Sequence, residues 1–127
     1  MDKIVIIDPN INLAYRIKKT LINKKREIIL CDNAIDGMEV IKSNLPDLII
    51  MEILLSEKDG FEIFCETRNV LPDTKIIAMT SGGLKHAEYY LEAMKLMGVD
   101  LTIKKPFRDL YLKSTVDTLL NNSSFFV

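Results

Sequence analysis

The sequence has no tryptophan, a single histidine, two cysteines, five glycines and four prolines among 127 residues. It also lacks net charge. Seventeen basic residues nearly cancel 18 acidic ones, leaving a formal charge of -1, so no whole-molecule field favours nucleic acid or an anionic membrane. Little glycine and proline beside 48% hydrophobic and 28% charged residues excludes a disordered chain and fits one ordinary globular domain. Cys31 and Cys65 stand far apart without CxxC spacing. That pattern excludes a disulfide framework or zinc site, and both read as reduced core residues. No apolar stretch approaches the roughly 20 residues that a membrane-spanning helix needs. Met1-Asp2-Lys3 passes directly into an apolar run, without the basic, apolar and small-residue sections of a secretion signal, so the expected location is the cytoplasm. The local basic cluster Lys18, Lys19, Lys24, Lys25 and Arg26 falls at the end of a predicted helix and reads as a solvated face.

What is present is an alternation of short β-type runs and longer stretches of helical period. Ile4-Val5-Ile6-Ile7 precedes Leu13, Ile17 and Leu21 at helical spacing, and Ile28-Ile29-Leu30-Cys31 precedes Ala34, Met38 and Ile41. Asp47-Leu48-Ile49-Ile50-Met51 is continuously apolar, as a strand covered on both faces requires. Phe61, Phe64 and Cys65 mark a third helix, which Leu71-Pro72-Asp73 ends. Lys75-Ile76-Ile77-Ala78-Met79 follows, then a helix carrying Leu84, Ala87, Leu91, Met94 and Met97 with Gly98 as its stop. Leu101-Thr102-Ile103 is a short last strand, and Phe107, Leu112, Val116 and Leu120 form the inward stripe of the final helix. About five consecutive βα units imply an α/β fold, a parallel sheet with right-handed crossovers and helices on both faces. Sites in such folds form where loops leave the carboxyl ends of the strands.

Four groups of different chemistry converge on that edge: Asp8, Glu52, Thr80 and Lys105. Each alone has an ordinary explanation. Asp8 could cap a helix beginning at Pro9, Thr80-Ser81 could cap the fourth helix, and Lys105 could be a surface lysine beside a turn proline. Their joint placement is the specific signal.

The chain resembles the receiver domain of two-component response regulators over roughly Lys3 to Leu120, through several motifs in order. They are Lys3-Ile4-Val5-Ile6-Ile7-Asp8, Asn33-Ala34-Ile35-Asp36-Gly37, Pro46-Asp47-Leu48-Ile49-Ile50-Met51-Glu52 with Asp59-Gly60-Phe61 behind it, Ile76-Ile77-Ala78-Met79-Thr80-Ser81, Gly98-Val99-Asp100 and Lys105-Pro106-Phe107. The resemblance implies a doubly wound (βα)5 sandwich of the flavodoxin-like, CheY-like kind with strand order 2-1-3-4-5. It implies a receiver over residues 1–122 and a tail over 123–127. It further implies a phosphoacceptor position at Glu52, an acid of the magnesium pocket at Asp8, a phosphate contact at Lys105 and switch positions at Thr80 and Thr102.

Four residues depart from the family pattern: Glu52 for the acceptor aspartate, Pro9 for the second metal-binding acid, Thr102 for the aromatic switch residue and Ser56 for the loop proline. Glutamate is one methylene longer than aspartate, which misplaces its oxygens for in-line phosphoryl transfer. Losing a carboxylate at Pro9 weakens magnesium binding, so no metal or other cofactor is expected. Asp8, Glu52 and Lys105 leave one excess negative charge, and Glu52 is expected to reach the Lys105 ammonium directly. The expected activity is therefore protein contact by a pseudo-receiver that is not an enzyme, with a histidine kinase or a downstream effector as partner. Neither a DNA-binding domain nor a membrane contact is expected. The candidate contact surface is the fourth helix, fifth strand and fifth helix, with Lys85, His86, Glu88, Tyr89, Glu92 and Lys95 outward. The competing reading is a receiver that still accepts phosphate with magnesium, on Glu52 or on Asp59. A small-molecule site lacks a glycine-rich phosphate loop, for which Ser81-Gly82-Gly83 is too short. The chain is expected to be a monomer or a weak homodimer, the apolar tail Phe125-Phe126-Val127 being one candidate contact.

Overall fold

A computed structural model describes residues 1–121. Strands β1 (Asp2–Ile7), β2 (Arg26–Cys31), β3 (Leu48–Glu52), β4 (Lys75–Thr80) and β5 (Leu101–Lys104) alternate with helices α1 (Ile11–Leu21), α2 (Ala34–Asn44), α3 (Gly60–Val70), α4 (Ala87–Met97) and α5 (Asp109–Asn121). All strand pairs are parallel and the order is β2-β1-β3-β4-β5. This is the doubly wound fold that the βα rhythm predicts.

Alternation within the strands sorts side chains between the two faces. Ile4, Ile6, Leu48, Ile50, Ile77 and Met79 pack with Ala14, Ile17 and Leu21 of α1 and Leu112 and Val116 of α5. Val5, Ile7, Ile49, Met51, Ile76 and Ala78 pack on the other face against α2, α3 and α4. Central β3 is buried at every position, and each such isoleucine or leucine contributes roughly 1.5–3 kcal/mol by leaving water.

Helix ends follow local chemistry. Asn10, Asn33 and Asp59 accept from the backbone amides of Leu13, Asp36 and Glu62 and cap α1, α2 and α3. Gly98 closes α4 at φ 102°, its amide donating to the carbonyls of Met94 and Lys95. Gly60 marks a close approach. Its amide donates to the Ile53 carbonyl at 2.8 Å, and a Cβ there would lie 2.9 Å from Ile53 Cα. The loop after β3 is thereby pulled against the start of α3.

Several expectations need correction. Arg26 is not a solvated member of the basic cluster: it opens β2, is buried, and pairs with Asp117 of α5 at 2.7 Å. Cys65 is exposed rather than core, whereas Cys31 is buried, because only Ile63, Phe64 and Thr67 of this part of α3 point inward. Leu84 lies before α4 and is fully exposed, and Met97 is also exposed. Phe107 precedes α5 and is only partly buried. Residues 123–127, with the predicted tail contact, lie outside the described residues.

Candidate functional site

Parallel pairing brings the strand ends to one edge. Ile7 is in register with Met51, Glu52 with Met79, and Thr80 with Lys104. The chain leaves β1 outward to β2 and then crosses back to β3, so Asp8 and Glu52 flank the point where strand order reverses. Lys105 is fixed to the neighbouring strand by its amide, which donates to the Thr80 carbonyl at 2.9 Å. The Lys105–Pro106 peptide is cis.

Three side chains close the pocket on themselves. Lys105 Nζ donates to Asp8 Oδ2 at 2.6 Å and to Glu52 Oε1 at 2.7 Å. The other oxygens are also engaged: Asp8 Oδ1 accepts from the Asn10 amide and Glu52 Oε2 from the Leu54 amide, both at 2.9 Å. The side chains of Lys105, Asp8 and Glu52 are only 12%, 4% and 11% exposed. Burial alone would lower the Lys105 pKa and is the largest single effect. Hydrogen bonds to Asp8 and Glu52, with the charges of both, outweigh it and leave the pKa raised.

The remaining predicted residues are distributed differently. Thr80 is buried, its Oγ1 accepting from the Gly82 amide at 3.1 Å. Thr102 is in register with Ala78 and half-buried on the outer strand β5. Ser56 is exposed in the loop after β3. Asp59 caps α3 and is not among the groups that bond Lys105. Neither Asp8 with Pro9 nor Thr80-Ser81 caps a helix: Asn10 caps α1, and His86 precedes α4 without a side-chain cap. Lys85, His86, Glu88, Tyr89, Glu92 and Lys95 are all exposed, as expected. Lys104 bonds Glu88 at 2.5 Å, and Lys85 lies 5.1 Å from the Tyr89 ring centre.

The sequence reading missed the amides of Asn10 and Leu54, which carry no side-chain signal. It also missed Arg16, which reaches from α1 to Asp109 at 2.8 Å and to the Phe107 carbonyl at 3.1 Å. A cation ending its reach beside a β5–α5 loop has no local signature in sequence, since its partners lie over 90 residues away.

The model of the response regulator receiver domain family matches residues 4–117. The chain belongs to that family. Receiver domains are signalling domains rather than enzymes, and they interact in general with histidine kinases and effectors. This receiver is similar to a two-component response regulator from Clostridium difficile, at 29% identity and TM-score 0.85, covering 97% of this chain and 98% of that one. A receiver domain from Clostridium thermocellum, at 21% identity and TM-score 0.84 with both chains fully covered, shares the fold. Among curated proteins, the transcriptional regulatory protein DltR of Streptococcus agalactiae is 26% identical over 106 residues, 83% of this chain and 46% of DltR. A transcriptional regulator described as putative in Pseudomonas aeruginosa is 31% identical over 84 residues, 63% of this chain and 39% of that protein. The matches thus span less than half of these curated relatives. Among the described residues, no helix is long and apolar enough to cross a membrane.

Proposed function

We propose that this receiver works as a phosphorylation-independent pseudo-receiver, a binding module whose pocket is held by its own side chains. The observation that carries this reading is that all four carboxylate oxygens of Asp8 and Glu52 already accept hydrogen bonds from protein donors. In-line phosphoryl transfer needs an oxygen nucleophile positioned for attack. Glu52 instead spends one oxygen on Lys105 and the other on the Leu54 amide.

The same donor set fits magnesium poorly. Octahedral oxygen coordination needs carboxylate oxygens, and here an ammonium lies within 2.7 Å of both acids. Pro9 contributes no acceptor side chain. The lysine takes the neutralising role that a cation would have beside two acids, so magnesium is at most a weak ligand. Loss of phosphate leaves protein contact as the means of signalling. The exposed set on α4 and the residues just before it, from Lys85 to Lys95, is the surface proposed to meet a kinase or effector, in the cytoplasm. Two unpaired thiols fit such a reducing compartment.

Incubation with a small acyl phosphate and magnesium, followed by intact mass measurement, tests the proposal. Unchanged mass is expected for the native chain. A stable gain of one phosphoryl group would overturn it and restore the phosphate-accepting reading. As a positive control, Glu52→Asp with Pro9→Asp restores an acceptor and a second acid and is expected to gain phosphate. Pro9 is exposed, so that substitution leaves the core untouched.

A further inference from the structure

Helix α1 carries an uncovered apolar stripe at the edge of the sheet opposite β5. Ile11 and Tyr15 on the helix and Ile22 at its end are 45%, 61% and 48% exposed. Their spacings of four and seven place them along one flank. That flank runs beside β2, which has a neighbouring strand on one side only.

The two ends of the stripe differ in charge. Ile11 and Tyr15 border a groove walled by Leu30 of β2 and by Asp36, Glu39 and Val40 of α2, with Asp32 at the same end. At the other end Tyr15 and Ile22 border a second depression with Arg16, Lys18 and Lys19, and Lys24 and Lys25 follow, exposed. Tyr15 borders both depressions, so they adjoin along the helix.

Apart from Arg16, which pairs with Asp109, these charges have no ion-pair partner among the described residues. Among the described residues, Asp32 and Asp36 accept side-chain bonds only from Asn33. Neither Glu39 nor Lys18, Lys19, Lys24 and Lys25 forms an ion pair among the described residues. The negative field at the first end is felt by Cys31, whose thiol is pushed up to about 11 by burial first and then by Asp36 and Asp32.

An apolar stripe with acids at one end and bases at the other is complementary to itself after a two-fold rotation. We propose that this face docks a second copy of the chain, α1 lying antiparallel to α1 of the partner. Setting Ile11 against Ile22 of the other copy places Tyr15 opposite Lys18. The acids of each groove then meet the Lys18–Lys19 end of the other copy. The apolar seam excludes water, and the two charged ends fix register and direction. One helix seam lies at the small end of specific interfaces, so the dimer is weak and forms at high concentration. The α4 and β5 surfaces lie at the opposite sheet edge and stay free in this dimer.

Sedimentation velocity of the full chain from about 10 µM to about 500 µM tests this. The expected result is a concentration-dependent shift from monomer towards dimer that raised salt weakens. Lys18→Glu with Lys19→Glu, and separately Asp32→Lys with Glu39→Lys, should each weaken self-association at least tenfold. Mixing the two variants should restore it, because each reversed end then meets its opposite. Circular dichroism of each variant confirms that it is folded. A monomer at every concentration overturns the proposal. So does self-association that both charge reversals leave unchanged, since the interface then lies elsewhere. Binding of a basic amphipathic peptide to a chain that stays monomeric assigns the groove to a different partner and also overturns it.

Discussion

Replacing Lys105 by methionine tests the pocket most directly, because it removes the ammonium while keeping most of the side-chain volume. Asp8 and Glu52 would then face each other as buried acids with only the Asn10 and Leu54 amides as donors. Breaking a buried ion pair by deleting one partner costs about 3–5 kcal/mol. The retained amide bonds and the residual exposure of the pocket place this case at the lower end, about 3 kcal/mol. For a domain of this size that corresponds to a fall in melting temperature of roughly 10–15 °C. Urea unfolding followed by circular dichroism measures the loss as a lower midpoint at unchanged slope. Adding Glu52→Gln to Lys105→Met removes one uncompensated charge and should recover a substantial part of the loss. The pH dependence has a fixed sign. The folded-state pKa of Lys105 is raised, so its contribution is fully present below the ordinary lysine value of 10.5 and is lost as pH rises through the raised value. On the alkaline side, the gap between native chain and Lys105→Met should therefore persist from neutrality and shrink only in strong alkali. A gap under about 1 kcal/mol at neutral pH would refute the argument that the two acids depend on this lysine.

Three further outcomes follow from the same packing. Near pH 8, iodoacetamide should modify exposed Cys65 at least about tenfold faster than Cys31, whose pKa is pushed up to about 11 by burial first and then by Asp36 and Asp32; mass spectrometry of partly alkylated chain checks the order, and equal rates would contradict it. Asp117→Asn removes the carboxylate that compensates the buried Arg26 guanidinium and should destabilise by about 1–3 kcal/mol in urea titration. Its pKa is lowered by the hydrogen bond from Lys113 first and by Arg26, against burial, so its contribution is present above the ordinary value of 3.8 and lost as pH falls through the lowered one; the variant should show a flatter acid limb. Gly60→Ala forces a Cβ to within 2.9 Å of Ile53 Cα and 3.2 Å of its carbonyl oxygen, which should lower the urea midpoint by the equivalent of roughly 1–3 kcal/mol; a midpoint matching the native chain would contradict the close approach.

Sequence alone determined the alternation of strand and helix, because period 2 and period 3.6 are local properties of neighbouring residues. It determined the helix stop at Gly98 and the strand-end positions of Asp8, Glu52, Thr80 and Lys105, since each follows directly on an apolar run. It also supplied the motifs that carry the receiver resemblance, and it anticipated the contact of Glu52 with Lys105 from length and charge. Burial at the margins was not legible. Arg26 read as one cation among many until Asp117, 91 residues away, was brought beside it. Cys65 and Leu84 read as inward by spacing, but the phase of α3 and the late start of α4 turned them out. Only the tertiary structure decided that Lys105 bridges both acids and that the Leu54 and Asn10 amides fill the remaining oxygens. The reason is physical. Periodicity fixes which face a residue takes on its own element, whereas a bond between residues 53 or 97 positions apart exists only once the parallel sheet has aligned the strand ends.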